Sequence, residues 1–204
     1  MKQVNGAFGV SRETEEKLRA YMALLIRWNT RINLVADADP GSLWQRHFVD
    51  SLQLVPLLPL CTGPFVDLGS GAGFPGLVLA AVTGCEMHLV ESDKRKCAFL
   101  QEVARMLDLR QVTVYPARID MAQLPLASVI TARALAPLPD LLRHAHRILG
   151  PGGMAIFPKG RNVAEELTTA AADWTMRIER FPSVTDPDST ILRLSEIYPV
   201  SAIA

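Results

Sequence analysis

Apolar positions in the first part of the chain fall at helical spacing. Leu18, Tyr21, Leu25, Trp28 and Ile32 recur every three or four residues, which puts them on one stripe of a helix about 20 residues long that must dock against something. Ser11 can cap this helix, and Glu13, Glu15 and Glu16 stand in its first turn, where carboxylates meet the positive end of the helix dipole. A second helical segment is predicted over 42–54, closed by Pro56 and Pro59. Residues 1–62 therefore read as a helical extension packed on the main domain.

After Gly63 the pattern changes. Short apolar runs at 65–68, 87–91, 112–115, 128–131 and 154–158 alternate with longer helical stretches, the pattern of a parallel sheet with crossover helices. Two more strands are predicted near 176–181 and 191–197, with Asp186-Pro187-Asp188 as the turn of a terminal hairpin. Phe99, Val103 and Met106 mark one covering helix. Leu138, Leu141, Leu142, Ala145 and Leu149 mark another, ended by Gly150 and Pro151. Residues 63–204 thus read as one α/β domain.

The composition fits this picture and narrows the function. The 204 residues are 49% hydrophobic and 21% charged, ordinary for one globular domain with an appendage. The apolar stretch 130–142 is broken by Arg133 and Asp140, and no run approaches the roughly 20 residues of a membrane span. Residues 1–12 lack the basic start and apolar middle of a secretory signal, so a cytoplasmic protein is expected. Cys61, Cys85 and Cys97 are an odd number at wide spacing, read as buried free thiols with no metal site. A net charge of zero argues against a wholesale grip on nucleic acid, so any RNA binding must be local.

The strongest local signal is Phe65-Val66-Asp67-Leu68-Gly69-Ser70-Gly71-Ala72-Gly73-Phe74-Pro75-Gly76. It joins a strand to a helix through glycines that let backbone approach a ligand, with the amides of 72–74 expected to point outward unpaired. Roughly 20 residues on, Glu91 ends the second strand, where a carboxylate can accept both hydroxyls of an adenosine ribose. A plain tight turn, with Glu91 capping the next helix, accounts for the joint spacing less well. Gly71, Gly73 and Gly76 also satisfy the dinucleotide pattern, so a nicotinamide-dependent oxidoreductase is a rival. Asp67 decides between them. Its carboxylate beside the loop would repel a pyrophosphate and suits a cofactor carrying an ammonium and a sulfonium, S-adenosylmethionine.

Several strings resemble one family over nearly the whole chain. They are Trp28-Asn29 with Asn33-Leu34, Arg46-His47-Phe48-Val49-Asp50-Ser51, the glycine loop, Pro116-Ala117-Arg118, Thr131-Ala132-Arg133-Ala134 and Pro158-Lys159-Gly160-Arg161. The chain resembles the RsmG (formerly GidB) family of bacterial methyltransferases that modify N7 of a guanine in 16S ribosomal RNA. The resemblance implies a Rossmann-like class I S-adenosylmethionine-dependent methyltransferase fold with an N-terminal helical extension. It places cofactor contacts on Gly69, Phe74, Ile119, Asp120 and Arg133, beside Asp67, Gly71, Gly73 and Glu91. The partner it implies is the 16S rRNA of the small ribosomal subunit; a monomer is the default expectation.

Guanine N7 has a free lone pair and no proton to lose, so methyl transfer needs positioning more than a general base. Arg118, Arg133, Lys159 and His47 are the substrate-positioning candidates. Against them stand solvated surface for the cations and a packed histidine for His47. Arg46, Arg118, Lys159 and Arg161 are expected to form one patch. Arg143, His144, His146 and Arg147 are explained by the helix dipole alone, and Lys94-Arg95-Lys96 by a charged helix turn. A non-catalytic RNA-binding or ribosome-assembly factor is the third reading.

Overall fold

The computed structural model describes residues 8–61 and 63–202. Most of the segment 1–12, read for a secretory signal, lies outside them. Helix α1 spans Arg12–Asn29 and is capped by Ser11, whose hydroxyl accepts from Thr14 N–H. It stops at Asn29 because that side chain serves the next segment: Oδ1 accepts from Leu34 N at 2.8 Å and Val35 N at 3.0 Å. Ile32, placed on the helical stripe, lies past the helix end but still packs on the core. The second segment starts two residues early, since Asp39 caps it and Pro40 opens it. It runs as α2 (Pro40–Leu43), a π-helical stretch Trp44–Val49 and α3 (Asp50–Leu52).

The remaining elements are β1 (Phe65–Leu68), α4 (Gly76–Thr83), β2 (Met87–Glu91), α5 (Lys94–Met106), β3 (Val112–Pro116), β4 (Ala127–Ala132), α6 (Leu138–Ile148), β5 (Leu149–Lys159), α7 (Val163–Ala170), β6 (Trp174–Pro182) and β7 (Thr190–Pro199). The sheet order is β3-β2-β1-β4-β5-β7-β6, parallel through β5, with β7 antiparallel to both of its neighbours. Leu149, assigned from sequence to the end of α6, instead opens β5 opposite Ala127.

One core lies on each sheet face. Leu18, Tyr21 and Leu25 of α1 share a buried cluster with Leu77 of α4 and Phe99 of α5, while Leu141 and Ala145 of α6 share the other with Leu167 of α7. β1 alternates between them: Val66 and Leu68 face α6, and Phe65 faces α4. Register sets Leu68 opposite both Val90 and Ala132. The residues just after β1, β2 and β4 therefore share one edge, at the point where strand order reverses and open sheets bind ligands.

The cysteine expectation is corrected. Cys61 and Cys85 form a disulfide with Cα atoms 5.5 Å apart, and only Cys97 is a free buried thiol. The β1–α4 unit carries the chain back so that residue 85 meets residue 61, a closeness that spacing along the chain conceals.

Candidate functional site

The loop after β1 folds tightly because glycine occupies the left-handed positions. Gly69 has φ +63°, and a Cβ there would lie 2.5 Å from Leu135 Cδ1. Gly73 has φ +90°, and a Cβ there would lie 2.5 Å from both Leu77 Cδ1 and the Tyr21 hydroxyl. That hydroxyl donates to Ala72 O, and the Tyr21 ring stacks on Phe74 at 5.4 Å. Helix α1 is thus the buttress of the loop.

Glu91 is turned inward and only 8% exposed. Oε2 accepts from Gly71 N at 2.9 Å and Oε1 from Asp93 N at 2.8 Å. Helix α5 is capped by Asp93, which accepts from the N–H groups of Arg95 and Lys96, so Glu91 is not spent as a cap. Not all loop amides are free as expected: Gly73 N–H turns back onto Ser70 O at 2.6 Å.

A cavity of about 580 Å³ opens over this edge. Its walls hold Gly69, Gly71, Phe74, Glu91, Ile119, Asp120, Arg133, Arg118 and His47. Asp67 and Gly73 stand outside these walls, and Lys159 lines a neighbouring cavity of about 250 Å³ that shares Arg133 and Ala134 with the first. Asp67 is fully buried under the loop; Oδ1 accepts from the Thr131 hydroxyl at 2.7 Å, and Oδ2 has no partner among the described residues. Burial pushes its carboxyl up to about 6, against the pull of the Thr131 hydroxyl.

Arg133 is anchored by the π-helical stretch. It donates to Arg46 O at 2.9 Å, to Asp50 Oδ2 at 3.1 Å and to His47 Nδ1 at 2.8 Å, and its guanidinium stands 5.2 Å from the Phe74 ring centre. Arginine has only donors, so His47 Nδ1 must accept and the ring proton resides on Nε2. Burial, reinforced by the Arg133 charge, pulls the His47 pKa down to about 4, and the ring is neutral near pH 7.

The expected basic patch is uneven. Arg46, Arg118 and Arg161 are exposed, whereas the Lys159 side chain is only 9% exposed and pairs with Glu166 at 2.6 Å. The hydroxyl of Ser189, with Arg161 and Arg46 further out, holds the Asp186 carboxyl below its usual range, so both arginines stand near one end of the terminal hairpin.

Four residues here were not among the site candidates from sequence, although Leu34 stood in a family-like string and His144 and Arg147 were assigned to the helix dipole. Leu34 and Val35, tied down by Asn29, line the cavity. His144 lines it too and reaches Asp120 Oδ1 at 3.5 Å, while Arg147 donates to Ile119 O at 2.6 Å and to Asp120 O at 3.0 Å. His144, whose pKa burial lowers, and Arg147 therefore support the Ile119–Asp120 turn, beyond serving the helix dipole. Their i, i+3 spacing was the available signal, but the turn they reach lies a strand away.

The family described as rRNA small subunit methyltransferase G (GidB) matches residues 14–191. The chain belongs to this family. It is 58% identical over 193 residues to the ribosomal RNA small subunit methyltransferase G of Rhodospirillum centenum, covering 95% of this chain and 89% of that one. Against the Granulibacter bethesdensis protein of the same name the identity is 52% over 192 residues, covering 94% and 90%. Among solved structures, a SAM-dependent methyltransferase from Aquifex aeolicus superposes with a TM-score of 0.59 at 16% identity, covering 76% of this chain and 92% of that one. The CcbJ methyltransferase of Streptomyces caelestis gives 0.61 at 16%, covering 85% and 96%. At that identity these two carry the fold alone, a Rossmann-like class I methyltransferase fold. The family's matched region takes in α1 from its third residue, every strand from β1 to β6 and the start of β7.

Proposed function

We propose that this chain transfers the methyl group of S-adenosylmethionine to N7 of a guanine in 16S ribosomal RNA on the small ribosomal subunit, acting as a monomer in the bacterial cytoplasm. The observation that carries the reading is the larger cavity, walled by a glycine loop and by the inward Glu91 carboxylate bonded to it, at the sheet's switch point. About 580 Å³ falls within the range of cofactor pockets. Each Glu91 oxygen accepts one N–H and keeps a lone pair for a ribose hydroxyl.

The loop suits this cofactor better than a dinucleotide. Gly71 N–H is taken by Glu91, Gly73 N–H by Ser70 O, and Pro75 at the start of α4 has no N–H, so little is left to hold a pyrophosphate. The buried Asp67 adds negative charge behind the loop, suited to a cationic ligand. Among the described residues no helix is long and apolar enough to cross a membrane.

When bound, S-adenosylmethionine supplies an electrophilic methyl group on sulfur. The chain's part is to position the base. No side chain is needed to remove a proton, and His47, neutral and fixed by Arg133, offers an Nε2 donor rather than a base. Arg133, held by three partners, is a rigid wall against which a base can be oriented. Arg118 on the rim is placed to meet a phosphate.

Small subunits from cells lacking this protein, incubated with the chain and methyl-labelled S-adenosylmethionine, should take up label at one guanine, found by cleavage at 7-methylguanine. Cofactor binding with no transfer would support the non-catalytic assembly-factor reading instead.

A further inference from the structure

The smaller cavity shares only Arg133 and Ala134 with the walls of the larger one. It opens where β4 and β5 end, beside the larger one, and is about 250 Å³ in volume. The shared wall includes Ala134, whose φ of +50° is a left-handed conformation uncommon for a residue with a Cβ. Among its lining residues are Lys159, the last residue of β5, and Glu166 of α7. Lys159 Nζ lies 2.6 Å from Glu166 Oε2 and donates to Ala136 O at 3.2 Å. Glu166 Oε2 also accepts from Leu138 N at 2.7 Å. The ammonium has three hydrogens and uses two; Glu166 Oε1 has no hydrogen-bond partner among the described residues. A withdrawn ion pair thus leaves one donor and one acceptor side by side.

We propose that this cavity receives the Watson–Crick edge of the target guanine, with Lys159 donating to O6 and Glu166 Oε1 accepting from N1–H and the 2-amino group. The inference rests on the guanine-N7 reading and deepens it. Among purines this edge is acceptor then donors in guanine, and donor then acceptor in adenine, so the pair selects guanine. Bases extruded for chemistry are read on this edge. N7 lies on the opposite side of the purine from N1 and the 2-amino group, so a base seated here directs N7 back toward the wall shared with the larger cavity. The N7 lone pair forms the bond to carbon as the carbon–sulfur bond breaks and its electron pair goes to sulfur. The base becomes cationic and loses no proton. N1–H and the amino group become stronger donors as that charge grows, so the contact with Glu166 tightens in the transition state.

The test compares small subunits carrying guanine or hypoxanthine at the target position. Hypoxanthine keeps O6, N1–H and N7 and lacks the 2-amino group. The intact chain should prefer guanine in kcat/KM by about tenfold or more, the value of a hydrogen bond to a charged group. Glu166→Gln, which keeps an oxygen for Leu138 N–H, should bring the ratio close to one. Glu166→Asp, with its carboxylate withdrawn by one methylene, should do the same, and Lys159→Met should slow both substrates while preserving the ratio. S-adenosylmethionine affinity, measured alongside, should match that of the intact chain in both Glu166 variants. A purely structural role for Glu166 would lower both rates and leave the preference intact, which would overturn the proposal. Equal use of the two bases by the intact chain would also overturn it. No transfer to guanine at all would instead refute the activity on which it rests.

Discussion

The larger cavity is walled on its glycine side by backbone, and the Glu91 carboxylate in its wall is bonded to the backbone of residues 71 and 93. The smaller cavity is walled by side chains, and Arg133 on the shared wall is held from residues 46, 47 and 50, more than eighty positions away. A site made of backbone turns is specified by a short string and tolerates little change in it. A site made of paired side chains is specified by contacts between distant segments and is free to set which substrate enters. We read the first as the cofactor side and the second as the substrate side.

The largest effect expected is on the backbone-built side. Glu91→Ala removes the ribose acceptor and the brace on Gly71 together, and S-adenosylmethionine affinity should fall by about 100-fold in a calorimetric titration. An affinity within a factor of two or so of the intact chain would break the comparison. Next comes Arg133→Lys on the shared wall. An ammonium cannot span Arg46 O, Asp50 and His47 as the guanidinium does, so methyl transfer should drop by roughly tenfold or more, with a smaller loss of cofactor affinity.

A smaller effect concerns Asp67. Its folded pKa is raised to about 6, so the folded state binds more protons than the unfolded state between about pH 4 and 6, and stability declines as pH rises through that window. Asp67→Asn removes this dependence. Relative to the intact chain, the variant should gain about 1 kcal/mol more at pH 8 than at pH 5 in denaturant titrations, while binding the cationic cofactor less well. His47 acts with the opposite sign. Its folded pKa of about 4 means its contribution is present above about 6.5 and is lost as pH falls toward 4; it is common to both proteins and cancels in the difference. The smallest effect is an expected constancy. With His47 neutral and N7 unprotonated, kcat should vary by less than about twofold from pH 6.5 to 8.5, and a limb with a pKa near 7 would restore a general base to the mechanism.

The contrast between the cavities also explains what the sequence made legible. β1 and β2 were bounded to the residue because each is a short apolar run closed by a glycine loop or an acidic residue. The glycine loop and Glu91 carried their own spacing. β5 was predicted short because Leu149-Gly150-Pro151-Gly152-Gly153 reads as a helix end, while the strand starts at Leu149, opposite Ala127, and regains its β4 partners at Met154 after a shift of register. The disulfide and the reach of His144 to Asp120 each join residues 24 positions apart, and the pairing of Lys159 with Glu166 depends on the turn that folds α7 back over the end of β5; no local pattern announces them. His47 and Arg133 were picked out separately; their bond to each other, which fixes the tautomer, appears only in the fold.

The division of labour between the two cavities is tested most directly by titrating S-adenosylmethionine into Glu166→Gln beside the intact chain and Glu91→Ala. The account predicts that Glu166→Gln binds the cofactor as the intact chain does while Glu91→Ala loses most of its affinity. Comparable losses in both variants would contradict it, because the smaller cavity would then be part of the cofactor site.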